Sequence, residues 1–224
     1  SAFVRYREDG SRRFVFNITH SACGRLEATA ASDALIHTCD HLHLMGSALA
    51  APGMRALALH ALQHIKARGG SVSFDPNLRR ELLGAPGLHE ALQQTLAATD
   101  IFLPSGDELY LFTTAQNESD AIAELLARGI KEILLKRGEQ GASHYSADGR
   151  LDAAPIAVHE DDPTGAGDSF GGAYIALRLN GHDAASALRY ANAAGARAVT
   201  RIGPMEGTST LAELDALLIA HKNN

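Results

Sequence analysis

Cysteine is almost missing from this chain. Cys23 and Cys39 are the only two in 224 residues, and their spacing forms neither a disulfide framework nor a zinc motif. A reducing, cytoplasmic setting is therefore expected. No apolar run approaches the roughly 20 residues a membrane-spanning helix needs, so no membrane association is expected. The opening residues 1–7 contain no signal-peptide apolar core and start within strand-like sequence. Basic charge is also scarce: 20 Lys and Arg stand against 26 Asp and Glu, for a formal net charge of −6. Surfaces that bind nucleic acid work largely by neutralising phosphate with Lys and Arg, so nucleic acid is not an expected partner. A local site for a small anion remains compatible with that charge. With 46% hydrophobic and 21% charged residues, the composition is that of an ordinary globule rather than a disordered or fibrous chain.

Residues 1–27 read as short strands, Phe3 to Tyr6 and Arg13 to Ile18, joined by an Asp9-Gly10 turn. From Leu35 onward, short apolar runs alternate with helical patterns. A strand at 40–45 precedes a helix whose Met54, Leu57, Leu62 and Ile65 lie near one face, and Gly69-Gly70 ends that helix before a strand at 72–74. The alternation continues with a helix at 88–98, a strand at 101–103, a helix at 119–128 and a strand at 133–135. This order implies a mainly parallel α/β sheet with helices on both faces. Strands at 142–146 and 156–158, around the Asp148-Gly149 turn, suggest an antiparallel excursion. Helices starting near Gly167, Asp183 and Thr210 complete the chain, the last with Thr210 and Glu213 in capping-box spacing.

The most informative segment is Asp162-Pro163-Thr164-Gly165-Ala166-Gly167-Asp168-Ser169-Phe170-Gly171-Gly172, which follows a strand and opens a helix. Small residues at 165–167 let several N–H groups point at an anion at a helix N-terminus, where the helix dipole adds to the attraction. A carboxylate at 168 would repel a passively bound phosphate. It suits a base that takes a proton from an attacking hydroxyl while backbone donors hold the charge on a transferring phosphoryl group. Without further context, a glycine-rich helix start with an acidic cap explains the same residues.

The whole string, together with the order of the surrounding segments, resembles the second signature of the PfkB family of ribokinase-like sugar and nucleoside kinases. The resemblance covers nearly all of the chain and is nearest the tagatose kinase, fructokinase and 2-keto-3-deoxygluconate kinase branches. It implies a three-layer α/β/α sandwich with a small β lid at residues 1–27 and a nucleotide- and sugar-binding core at 28–224. Asp168 is then the catalytic base, with Gly165, Ala166 and Gly167 forming the anion hole. In Leu135-Lys136-Arg137-Gly138-Glu139-Gln140-Gly141, the resemblance makes Lys136, Gly138 and Gly141 contacts for ATP, and places Asn192 beside the adenine. Taken alone, the first is a turn and the second a solvent-facing helix residue.

The same resemblance assigns Ser105 and Glu108 to the magnesium and phosphate region, although the family carries Asn where this chain has Ser105. A helix cap at Ser105 is compatible with that role. Asp162, Thr164, Ala198, Arg201, Gly203 and Gly207 match a loop pair that holds potassium in many relatives. Asp75, Asn77 and Arg79, in the run Phe74-Asp75-Pro76-Asn77-Leu78-Arg79, leave a strand at the edge where open α/β sheets bind ligands. Arg79 either reaches a sugar acid or phosphate, or pairs locally with Glu81. Asn17, on the lid strand 16–22, is a candidate for a sugar hydroxyl. Keto-deoxygluconate kinases usually carry Arg where Ile18 stands, and its loss shifts the expected substrate towards a neutral ketohexose. The pairs His41/His43 and His60/His64 have no carboxylate or cysteine at a recognised spacing, and read as surface or core histidines.

The expected activity is ATP- and Mg2+-dependent phosphorylation of a small sugar. A homodimer through the lid strands is the expected assembly. Family members begin with a central strand and a Gly-Gly sugar-contacting segment before the lid, and neither occurs here. The chain is accordingly expected to be a truncated form of a longer kinase. The alternative is a catalytically impaired nucleotide-binding fragment or ligand sensor.

Overall fold

The computed structural model describes residues 2–6, 12–16, 21–78 and 82–222, and the chain falls into two compact units, Ser1–Thr99 and Asp100–Asn224. In the first unit, β1 (Ala2–Tyr6) and β2 (Arg12–Phe16) form the expected antiparallel hairpin, with Ala2 opposite Phe16 and Tyr6 opposite Arg12. The lid strand expected at 16–22 does not reach its end. Ser21 and Ala22 lie in a bend and a turn that lead into a 3-10 turn at Cys23–Arg25. The Ser21 hydroxyl accepts the Gly24 N–H at 3.3 Å, a local bond by which serine draws the backbone out of extended geometry.

The next helix, α1 (Ala30–Ile36), has no counterpart among the expected elements. Thr29 Oγ1 accepts the Ser32 N–H at 3.1 Å, and Ser32 Oγ accepts the Thr29 N–H at 2.8 Å. Serine thus closes a capping box where Glu or Gln is the usual signal. Strands β3 (His41–Met45) and β4 (Ser71–Asp75) pair in parallel through the crossover helix α2 (Pro52–Ala67). Pro52 suits the first helical position, whose N–H has no intrahelical acceptor. Ala58, Ala61, Leu62 and Ile65 form the buried stripe of α2, with Met54 and Leu57 half-buried at its margin. Helix α3 (Leu88–Ala97) buries Leu88, Ala91, Leu92 and Leu96.

In the second unit, β5 (Ile101–Phe102) pairs in parallel with β6 (Glu132–Lys136) through α4 (Glu118–Ala127). Ile133, Leu134 and Leu135 are buried in sequence, the pattern of a strand covered on both faces. Strand β7 (Ala142–Ser146) runs antiparallel to β6, and β8 (Gly149–Ala153) antiparallel to β7. The return strand expected at 156–158 is therefore displaced. The tight turn at Ala147-Asp148 pairs Ser146 with Gly149 directly, so pairing is complete by Ala153. Residues 154–160 are coil, and Pro155 has no N–H to donate to a ladder.

Helices α5 (Ala166–Leu179), α6 (Ala184–Ala198) and α7 (Leu211–Lys222) follow. Phe170, Tyr174 and Leu177 of α5 pack with Leu103 and Leu134 and with Ala187, Leu188 and Ala191 of α6. Leu214 of α7 packs on Ala193 and Ala194. Asp183 caps α6 by accepting the Ser186 N–H at 2.8 Å, and this bond is the main cause holding its carboxyl below the usual range. At α7, Glu213 Oε2 accepts the Thr210 N–H at 2.8 Å, as the spacing predicts.

Candidate active site

Gly165 has φ +84°, and a Cβ there would run into the Pro204 carbonyl. Only glycine fits without strain, so the chain can turn sharply into α5. The turn is braced by Asp162, which is buried at 5% exposure. Its Oδ1 accepts the Thr164 N–H at 3.0 Å and the Thr164 hydroxyl at 2.7 Å, while Oδ2 accepts the Gly203 N–H at 3.1 Å. The Val199 carbonyl accepts the N–H groups of Asp161 and Asp162 at 2.8 and 3.1 Å. Gly207 lies so close to the Ala198 backbone that a Cβ would not fit. The loop pair expected to hold a monovalent cation is thus drawn together, with Arg201 exposed on it.

A cavity of about 490 Å³ opens beside this turn, within the second unit. Lys136, Gly138, Gly141, Ala166, Gly167 and Asn192 all line it. Lys136 leaves β6 with its Nζ 3.6 Å from the position a Gly167 Cβ would take, which sets an ammonium at the N-terminus of α5. The first-turn N–H groups of a helix lack intrahelical acceptors, so ammonium and helix end together favour an anion. Gly138 and Gly141 have φ of +57° and +83°, and a Cβ at Gly141 would collide with the Ala153 carbonyl.

Two walls of this cavity are additions to the expected set. Ile156, Ala157 and Val158 form one, and Gly195, Ala196 and Val199 join Asn192 on another. Positions 192, 195, 196 and 199 share one helical face, a spacing that was readable in the sequence. Asn192 Nδ2 donates to the Ala154 carbonyl at 2.7 Å and so ties the segment after β8 to α6.

Asp168 stands exposed in the first turn of α5, next to Gly167. Ser105 forms an isolated parallel bridge with Lys136, and the Pro104 carbonyl accepts the Lys136 N–H at 2.9 Å. Glu108 Oε2 accepts the Ser105 N–H at 2.8 Å and caps the 3-10 turn Gly106–Phe112, so Glu108 serves the cap as the residue pattern allows.

In the first unit, Asp75 is 2% exposed at the end of β4. Its Oδ1 accepts the Asn77 N–H at 3.1 Å, and Asn77 sits at φ +36°, a region asparagine tolerates. Asn17 and Arg79 lie outside the described residues. His41 Nδ1 and Nε2 approach the hydroxyls of Ser71 and Ser73 at 2.7 and 2.9 Å, and His60 Nε2 lies 3.1 Å from Asp33 Oδ1. Among the described residues, no group of three or more His, Cys, Asp and Glu side chains is placed to hold a metal ion.

Parallel strand pairs joined by crossover helices, with a glycine-started helix facing a cavity beside a lysine, make this an α/β protein built around an anion-binding helix end. The chain belongs to the pfkB family of carbohydrate kinases, whose family model matches residues 1–211. It is a sugar kinase with a ribokinase-like fold. Fructokinase-1 of Zea mays is 32% identical over 228 residues, covering 97% of this chain and 70% of the maize protein. An Escherichia coli crystal structure provisionally assigned as ribokinase II is 48% identical with a TM-score of 0.93, over 98% of this chain and 71% of that one. A ribokinase II structure from the same organism in complex with ATP and Mg2+ has 46% identity and a TM-score of 0.90, over 98% of this chain and 70% of that one. Fructokinase from Vibrio cholerae O395, bound to fructose, ADP and calcium, has 25% identity and a TM-score of 0.80, over 97% of this chain and 73% of that one.

Proposed function

We propose that this chain transfers the γ-phosphoryl group of ATP, accompanied by Mg2+, to a hydroxyl of a ketohexose such as fructose or tagatose, or of a keto sugar acid such as 2-keto-3-deoxygluconate. The observation that carries this reading is the convergence of Lys136, Gly138, Gly141, Ala166, Gly167 and Asn192 on one cavity of about 490 Å³. That volume lies within the range of about 300–1,000 Å³ usual for small-molecule sites. In this reading the apolar wall of Ile156 and Val158 receives the base, beside Asn192. The loop 138–141 follows the ribose and phosphates, and Lys136 with the α5 N-terminus receives the phosphate end.

Asp168 accepts the proton of the attacking hydroxyl, and the N–H groups at 165–167 stabilise the charge on the transferring group. The donor set suits a magnesium ion carried mainly on phosphates rather than caged by protein, with Ser105 and Glu108 as its neighbours. A potassium ion at the 162–164 and 198–207 loops would be held largely by backbone carbonyls, since the Asp162 oxygens already accept three donors. Exchange of K+ for Na+ in the assay tests that site. Asp75 and Asn77, with Arg79 and Asn17, are the proposed sugar contacts. The neutral Ile18 and the fructokinase relatives favour a ketohexose. A homodimer through the β1–β2 hairpin belongs to the same reading, and light scattering tests it.

The test is Asp168→Asn, assayed by coupled ADP release against a panel of ketohexoses and keto sugar acids, with calorimetric titration of ATP on the same preparation. Phosphorylation is expected to vanish while ATP binding persists. Near-normal turnover by the variant would remove Asp168 from the role of base, and ATP binding without turnover in the unaltered protein would make it a nucleotide binder rather than a kinase.

A further inference from the structure

Lys136 and Arg137 are adjacent cations at the end of β6, yet they go to opposite sides. Lys136 enters the cavity, whereas Arg137 turns to α4 and β7. Arg137 Nη1 donates to Glu118 Oε2 and Nη2 to Glu118 Oε1, both at 2.7 Å, in a two-pronged ion pair. Arg137 Nη2 also donates to Ser143 Oγ at 3.2 Å and to the Tyr145 hydroxyl at 3.1 Å. The Tyr145 hydroxyl donates to Glu118 Oε1 in turn. Glu118 opens α4, where the helix dipole favours a carboxylate. The Arg137 backbone closes the loop that follows, since its N–H donates to the Gly141 carbonyl at 2.9 Å and its carbonyl accepts the Gln140 N–H at 3.1 Å.

We infer that the Arg137–Glu118 pair is a clamp that positions loop 137–141 for the nucleotide, with Arg137 acting as a positioning residue and not as a ligand. Gly138, Glu139 and Gln140 are exposed, and Gly138 and Gly141 hold left-handed backbone angles, so the middle of this loop buries no apolar side chain. Glycines lose the most conformational freedom on ordering, so the side-chain grip on Arg137 adds to the backbone bonds that close the loop, among them Gly141 N–H to the Gly138 carbonyl at 3.1 Å. The loop reaches the cavity through Gly138, Glu139 and Gly141. Loosening it should therefore weaken nucleotide binding and leave the chemical step alone.

The inference rests on the reading that the nucleotide occupies this cavity, so the experiment has separate arms for the two. In steady-state kinetics, Arg137→Met is expected to raise the KM for ATP about tenfold, equivalent to about 1.4 kcal/mol, with kcat within about twofold and the sugar KM unchanged. Glu118→Gln should move the ATP KM in the same direction. Arg137→Lys should recover only part of the loss, because lysine keeps the charge but lacks the two-pronged geometry. An unchanged ATP KM in both Arg137→Met and Glu118→Gln would overturn the clamp, as would parallel losses in kcat and in both KM values that track a fall in melting temperature. Ala196→Trp, which fills the cavity, addresses the underlying reading by calorimetric titration of ATP. If that variant binds ATP normally, the nucleotide lies elsewhere and the clamp has no such role. If it loses ATP binding while Arg137→Met keeps a normal KM, the clamp alone is wrong.

Discussion

Two carboxylates flank β6, each gripped by an arginine and a tyrosine, and they differ in depth. At the N-terminal end of the strand, Glu132 Oε1 accepts Arg178 Nη2 at 2.7 Å, Oε2 accepts the Tyr174 hydroxyl, and His144 Nε2 stands 3.3 Å away. Burial by itself would raise the Glu132 pKa, but His144, Arg178 and Tyr174 outweigh it and hold the group down at about 2. At the C-terminal end, Glu118 meets Arg137 and Tyr145 with its side chain 33% exposed, and the hydrogen bond from Arg137 is the main cause of its lowered pKa. The same residue types thus serve two ends. The less exposed group, with its side chain 15% exposed, ties β6 to α5 and supports the fold. The accessible one ties the loop beside the cavity, at the strand edge where open α/β sheets bind ligands.

The sharpest way to break this division is at α5 itself. Asp168→Asn should lower turnover by about 10³-fold or more, without moving the thermal midpoint. A large loss of stability would show that the helix end supports the fold as well.

Glu132→Gln should do the opposite, costing about 3 kcal/mol of unfolding free energy at neutral pH and leaving the ATP KM unchanged. Because the folded pKa lies below the ordinary value of 4.5, this stabilisation is fully present above about pH 4.5 and fades as pH falls towards 2. Urea titrations of both proteins at pH 7 and pH 3 should show the gap narrowing in acid, and a gap independent of pH would contradict the assignment. Arg137→Met should then change stability by only about 1 kcal/mol, since the pair it removes is partly solvated. Its main effect should be on ATP. The smallest effect is expected for Asn192→Leu, where loss of the hydrogen bond to Ala154 should raise the ATP KM about fivefold.

The alternation of strands and helices was legible because short apolar runs are separated by helical patterns, two of which end in glycine, at Gly69-Gly70 and at Gly129. The helix end at 165–168 was legible for a related reason, since only small residues allow that turn. Residues 156–158 were misleading. Ile156 and Val158 alternate like a strand, but the hairpin register had already satisfied β7 at 149–153, and these side chains line the cavity instead. Helix α1 was hidden by Ser32 doing the work of Glu in its cap. The Arg137–Glu118 pair was not visible at all, because the partners stand 19 positions apart and no local pattern joins them.

In the proposed reading the nucleotide lies against residues 138–141, 155–158 and 192–199. Photolabelling with 8-azido-ATP, followed by peptide mapping, tests it directly. Label on residues 155–158 or 192–199 that excess ATP suppresses is the predicted result, and ATP-suppressible label confined to residues 1–99 would contradict it.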